Sequence, residues 1–82
     1  MRLDKYLKVS RLIKRRTVAD EACDGGRVSV NGKVAKSAHD VKENDVIEIS
    51  FGAKKVKVRV LEVKEHVRKE EAGEMYEVLE QS

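Results

Sequence analysis

Lys14, Arg15 and Arg16 stand side by side with no acid next to them. Cations held together repel one another, and that repulsion becomes useful only when an outside anion meets them. Arginine offers a planar fork of donors that grips two phosphate oxygens at once, and lysine offers a mobile point charge. Four more cations, Arg2, Lys5, Lys8 and Arg11, recur every third residue just upstream, a spacing that lines them along one side of a helix. The chemistry this set can do is phosphate binding. Nothing else in the chain competes with it. The single cysteine, Cys23, falls at core spacing, and His39 and His66 are far apart with no cysteine or carboxylate at ligand spacing. Neither histidine reads as a metal ligand or catalytic base, so no metal and no cofactor is expected.

The positioning elements follow from periodicity. Leu3, Tyr6, Leu7, Val9, Leu12 and Ile13 recur at three and four, which predicts an amphipathic helix over 3–13. Asp4 falls in its first turn, where a carboxylate either suits the positive end of the helix dipole or steers Arg2 or Arg16 through an ion pair. A second helix is expected from Arg16 to Asp24, with Val18, Ala19, Ala22 and Cys23 inward and Gly25-Gly26 ending it. The junction then gathers Arg11, Lys14, Arg15 and Arg16 at a helix N-terminus, whose free N–H groups favour phosphate. Val28-Ser29-Val30 alternates, and Asn31-Gly32 is a strong hairpin signal returning through Lys33 to Lys36. Strands are expected over 46–51 and 55–63, joined through Gly52-Ala53-Lys54. In the second, Val56, Val58 and Val60 alternate with Lys55, Lys57 and Arg59. Ala72, Met75, Tyr76 and Leu79 fall at helical spacing near the end. The expected fold is α+β: two short N-terminal helices packed on a small, mostly antiparallel sheet, with a short C-terminal helix or tail.

Composition narrows the function. Eighty-two residues make one domain, which buries only about 60% of its unfolded surface. Hydrophobic residues are 40% and aromatics 4%, so the interior rests on aliphatic side chains with no room for a deep catalytic pocket. That counts against an enzyme. Residues 1–36 hold ten basic side chains against four acidic, and residues 37–82 hold eight against eleven. A basic front and an acidic rear suggest a polyanion at the front only. The rear, with seven carboxylates between Glu62 and Glu80, is expected to point away from it and to confer solubility. One cysteine fits a reducing compartment. No apolar run approaches membrane-spanning length, and the first residues lack the apolar core of a signal peptide. A cytoplasmic protein with no membrane contact is expected.

"RLDKYL" at 2–7, "KRRTVADEACDGGRVSVNGK" at 14–33 and "VKENDVIEI" at 41–49 resemble, in order and spacing, the RNA-binding domain named after small-subunit ribosomal protein four. The resemblance covers 1–50 most strongly, within a domain expected over 1–66, leaving 67–82 as an acidic helix or tail. It implies that two helices and a hairpin sit on structured RNA. Arg2 and Lys5 would face RNA from the first helix, with Lys8, Arg11, Lys14 and Arg15 adding to the basic surface. Arg16 and Thr17 match the family's Arg-Ser/Thr pair at the entrance to the second helix, and Arg27, Asn31 and Lys33 fall on the hairpin, where Asn31 is also a turn former. Arg15 replaces the usual Ser/Thr cap, and Glu43-Asn44-Asp45 replaces Pro-Gly-Asp, leaving Asn44 the left-handed position. No catalytic domain is expected to follow the motif. The resemblance therefore extends to free-standing members of the heat-shock protein fifteen and RqcP types, with a C-terminal half closer to the second. It implies a monomeric, non-catalytic factor on large ribosomal subunits obstructed by peptidyl-tRNA. That factor would bind ribosomal RNA and tRNA and assist alanine-tail addition with the partner RqcH.

Two rival readings of the residues stand beside this one. A DNA-binding helix-turn-helix would share the basic junction, but its recognition helix would present Asp20, Glu21 and Asp24 to phosphates. A protein-interaction module would dock through the acidic rear.

Overall fold

Neither short helix can bury its apolar stripe alone, and one side of the sheet needs cover; the fold satisfies all three at once. The computed structural model describes residues 1–82. It runs α1 (Leu3–Val9), α2 (Arg16–Asp24), β1 (Val28–Val30), β2 (Lys33–Val34), β3 (Val46–Phe51), β4 (Lys54–Val60), a 3-10 helix (Lys69–Met75) and β5 (Tyr76–Gln81). The five strands form one antiparallel sheet in the order β2-β1-β3-β4-β5. Leu3, Tyr6 and Leu7 of α1 meet Ala19, Ala22 and Cys23 of α2 over the inward residues Val28, Val30, Ile47, Ile49, Val58 and Val60. Burying one such aliphatic side chain fully is worth about 1.5–3 kcal/mol. The α+β class holds.

Local signals set most of the turns. Asn31 and Gly32 take φ of 53° and 84°, as a two-residue hairpin of this type requires. Asn44 takes the left-handed position at φ 73°. Asn31 also clips the hairpin to β3: its amide nitrogen donates to Asp45 Oδ1 at 3.1 Å and its Oδ1 accepts from the Val46 N–H at 3.0 Å.

Three expectations are corrected. First, α1 stops at Val9 rather than Ile13. The Ser10 hydroxyl donates to Leu7 O at 3.3 Å, and Arg11 turns the chain at φ 63°, which swings Ile13 back into the core from a loop. Second, Val18 is not core; it is 45% exposed at the start of α2. Third, the C-terminal helical spacing is honoured only in part. Ala72 and Met75 are buried by the 3-10 helix, but Tyr76 and Leu79 lie in β5, along the edge of β4. An open β4 edge offers unpaired backbone groups, and Glu77 and Glu80 meet Arg59 and Lys57 across the new pair.

The join between the helices and this C-terminal closure is one buried hydrogen bond. The Tyr6 hydroxyl donates to Met75 O at 2.8 Å, and burial pushes its pKa well above the usual tyrosine value. Met75 O also accepts from the N–H groups of Leu61 and Glu62. Tyr6→Phe keeps the ring packing and leaves that carbonyl with backbone partners. It is therefore expected to cost only about 0.5–1.5 kcal/mol, read as a lower urea midpoint with an unchanged slope.

Candidate nucleic-acid interface

A carboxylate lies between the starts of the two helices and meets an arginine from each. Asp4 sits in the first turn of α1 with its side chain only 5% exposed. Its Oδ1 accepts from Arg2 Nε at 3.1 Å and from the Lys5 N–H at 2.8 Å, and its Oδ2 accepts from Arg16 Nε at 3.5 Å. Arg2 and Arg16 are 53% and 47% exposed, so each is tethered on one side and open to solvent on the other. Burial works to raise the Asp4 pKa, but the Arg2 hydrogen bond, the Lys5 N–H and the charges of Arg16 and Arg2 outweigh it, and the net shift is downward.

The two helix starts differ in availability. At α1 the chain segment 37–41 occupies the free N–H groups: Leu3 N donates to His39 O at 2.8 Å and Asp4 N to Ser37 O at 3.3 Å. At α2 the N–H groups of Arg16, Thr17 and Val18 have no protein partner, and Arg15 makes no capping bond. Only α2 can offer backbone donors to an anion, beside the Arg16 side chain. Of the acids of α2, Asp20 and Asp24 are bridged by Ser37, whose hydroxyl lies within hydrogen-bond distance of both carboxylates and whose N–H donates to Asp24 Oδ1 at 3.2 Å.

The remaining sequence candidates fall into separate places. Lys5, next to Asp4, pairs with Glu65, whose pKa that contact lowers. Lys8, Arg11 and Lys14 line a common hollow, joined there by Lys69. Arg15 and Thr17 are exposed at the α2 entrance, and Arg27 and Lys33 are exposed around the hairpin. Asn31 is spent on Asp45 and Val46. The lysines of β4 are largely neutralised: Lys55 lies 4.0 Å from Glu48, Lys57 3.8 Å from Glu80, and Arg59 pairs with Glu77. Cys23 is fully buried, and burial first, with Asp4, Asp24 and Asp20 nearby, pushes its thiol up to about 11, which suits packing rather than reactivity. No group of histidine, cysteine and carboxylate side chains is placed to hold a metal ion. No helix is long and apolar enough to cross a membrane. The ion pairing of Asp4 with Arg2 and Arg16, one of the two roles its position allows, is observed with both arginines. Lys69 escaped the sequence reading, because nothing local ties it to α1.

A pair of half-exposed arginines on the first two helices, beside an uncapped helix start, is matched by sequence as well. The S4 domain model matches residues 1–47, more than half of the chain. The chain belongs to the S4 domain family. Along its whole length it is similar to the RQC P-site tRNA stabilizing factor of Streptococcus pneumoniae, at 58% identity over 82 residues, covering 100% of this chain and 93% of that one. The protein of the same name from Halalkalibacterium halodurans is 63% identical over 78 residues, covering 95% of this chain and 89% of that one. Among solved structures, Heat Shock Protein 15 of Vibrio cholerae, described as trimeric, aligns with a TM-score of 0.88 at 29% identity over 95% of this chain and 80% of that one.

The Asp4 cluster carries a pH signature. Its folded pKa lies below the ordinary 3.8, so its stabilisation is complete above the unfolded value and is lost as pH falls through the lower folded value. Asp4→Asn keeps the shape and removes the charge. It is expected to cost about 1.5–3 kcal/mol at neutral pH, with the gap from wild type narrowing as pH falls through the lowered folded pKa, measured as urea midpoints across pH.

Proposed function

We propose that this protein is a non-catalytic RNA-binding factor of ribosome-associated quality control. It stabilises a tRNA in the peptidyl site of a large ribosomal subunit obstructed by peptidyl-tRNA, gripping tRNA and ribosomal RNA backbones, and so assists the alanine-tailing partner RqcH. The observation that carries this reading is the Asp4-tethered Arg2 and Arg16 pair, held on two helices beside the free N–H groups of α2. Full-length similarity to proteins named for P-site tRNA stabilisation supplies the biological setting.

The mechanism is positional. Asp4 orders both guanidinium groups before RNA arrives, so less side-chain entropy is lost on contact. Each guanidinium can turn its outer edge to phosphate oxygens, while the Thr17 hydroxyl and the α2 amides add neutral donors. Such contacts fix orientation and do not read bases; selectivity comes from the shape of folded RNA. Nothing in this arrangement activates a nucleophile or holds a reacting group, and no step of bond making is assigned to it.

With about five phosphates neutralised, log K against log salt is expected to fall with a slope of roughly −3.5 to −4.5. Arg2→Ala and Arg16→Ala should each weaken binding to purified large subunits carrying peptidyl-tRNA and flatten the slope, measured by pelleting over a potassium chloride series. Unchanged affinity in both variants would remove the site. Glu65→Gln, which releases Lys5, should strengthen binding and steepen the slope. In cells lacking the protein, a wild-type copy should restore alanine tails on stalled chains, and Arg16→Ala should not. Restored subunit recycling without any change in tailing would favour the alternative, heat-shock type of activity.

A further inference from the structure

Lys8 in the last turn of α1, Arg11 and Lys14 in the loop that follows, and Lys69 at the start of the 3-10 helix line one hollow of about 360 Å³. No acidic and no apolar residue lines it. None of the four cations has a carboxylate within ion-pair distance. Other cations also stand unpaired, Lys33, Lys42 and Lys54 among them, but only here do four of them line one hollow. Of the neighbouring acids, Glu71 faces Arg68 at 3.8 Å, and Glu65, which lines an adjoining hollow with Lys8 and Arg11, pairs with Lys5. Four unpaired cations around one space repel each other unless an anion enters. The backbone adds a second observation. Arg11 holds φ 63°, a conformation that glycine takes without steric cost, yet the position carries a long cationic side chain that lines the hollow.

We propose that this hollow is a second phosphate-binding site, separate from the Arg2–Asp4–Arg16 cluster, and that it takes a backbone phosphate of the bound RNA. Lys69 then brings the C-terminal segment into the RNA interface, although the rest of that segment is acidic. The proposal rests on the RNA-binding reading above and adds to it which residues make a second anchor and that both halves of the chain supply it. Two anchors on one rigid domain impose a spacing on the phosphates they accept, which a single cluster does not.

The test uses the full chain and purified large subunits carrying peptidyl-tRNA, with affinity measured over a potassium chloride series. Lys69 is exposed, so Lys69→Ala leaves the core untouched. It should weaken binding severalfold and reduce the salt slope by about 0.7–0.9, the loss of one phosphate contact. Arg11→Gly should weaken binding in the same way with a thermal midpoint no lower than wild type, because glycine is at ease at that φ. Lys54→Ala, at the far turn between β3 and β4, should bind as wild type. If Lys69→Ala binds as wild type, or Lys54→Ala loses as much, while Arg16→Ala still fails, the second site is overturned and the first stands. If Arg16→Ala also binds as wild type, the RNA reading falls with it. If millimolar inorganic phosphate shifts the amide signals of Lys8, Arg11, Lys14 and Lys69 while Lys69→Ala leaves subunit binding intact, the site serves a small free anion and its assignment to RNA is overturned.

Discussion

A carboxylate with almost no access to water holds two guanidinium groups that must remain in water. That constraint organises the rest of the molecule. Asp4 can stay ionised at such depth only because four N–H groups reach it, from Arg2, Lys5 and Arg16. To deliver them, α1 must begin at Leu3 with Arg2 just outside, and α2 must begin at Arg16 against it. The segment 37–41 makes this possible by taking over the α1 amides that would otherwise draw in water or an anion. The energetic return is modest, since the arginines are half exposed and their pairing is screened. The return in geometry is larger: two long flexible side chains are reduced to a few orientations, both next to the open amides of α2.

The acidic half of the chain serves as a set of internal counter-ions rather than as a free tail. Glu77 and Glu80 on β5 meet Arg59 and Lys57 on β4, Glu48 meets Lys55, and Glu65 meets Lys5. Exposed pairs of this kind add little stability one by one. Their effect is on the electrostatic field. By pairing the cations of β4, they leave much of the unopposed positive charge around the helices and the hairpin of a protein whose net charge is just +3. The strand that carries two of these acids also pairs with the β4 edge, becoming the edge strand itself with acids at Glu77 and Glu80 that charge it.

Features governed by near neighbours were legible in the sequence. Asn31-Gly32, Asn44 and the span of α2 follow from turn chemistry and periodicity, and all are observed. Features decided across the fold were not. The spacing of Leu12 and Ile13 after Leu7 fits a continued α1, but the buried Ser10 and the left-handed Arg11 end it, and Ile13 reaches the core from a loop instead. The sequence from Ala72 to Leu79 satisfies a helical period, while Tyr76 and Val78 also alternate about Glu77. The choice between them lay with β4, whose open edge favours a strand and whose register shift at Lys57/Val58 absorbs the imperfect alternation. The arginine run was visible as a group, yet the fold divides it: Arg16 goes to Asp4, Lys14 goes to the hollow, and Arg15 stays free between them.

That division bears on how a domain of this size distinguishes folded RNA from any other polyanion. A single basic cluster accepts a phosphate wherever one is offered, in duplex DNA or in a disordered strand. On the reading proposed above, contacts distributed over α1, α2 and the loop between them would accept only phosphates whose separations fit a rigid frame, and those separations are set by RNA tertiary structure. The rigidity comes from the core beneath, where Leu3, Tyr6 and Leu7 pack α1 against α2 and the sheet. Selectivity would then be a property of packing as much as of charge. A core substitution that loosens α1 against α2 would blur the recognised spacing while leaving every cation in place.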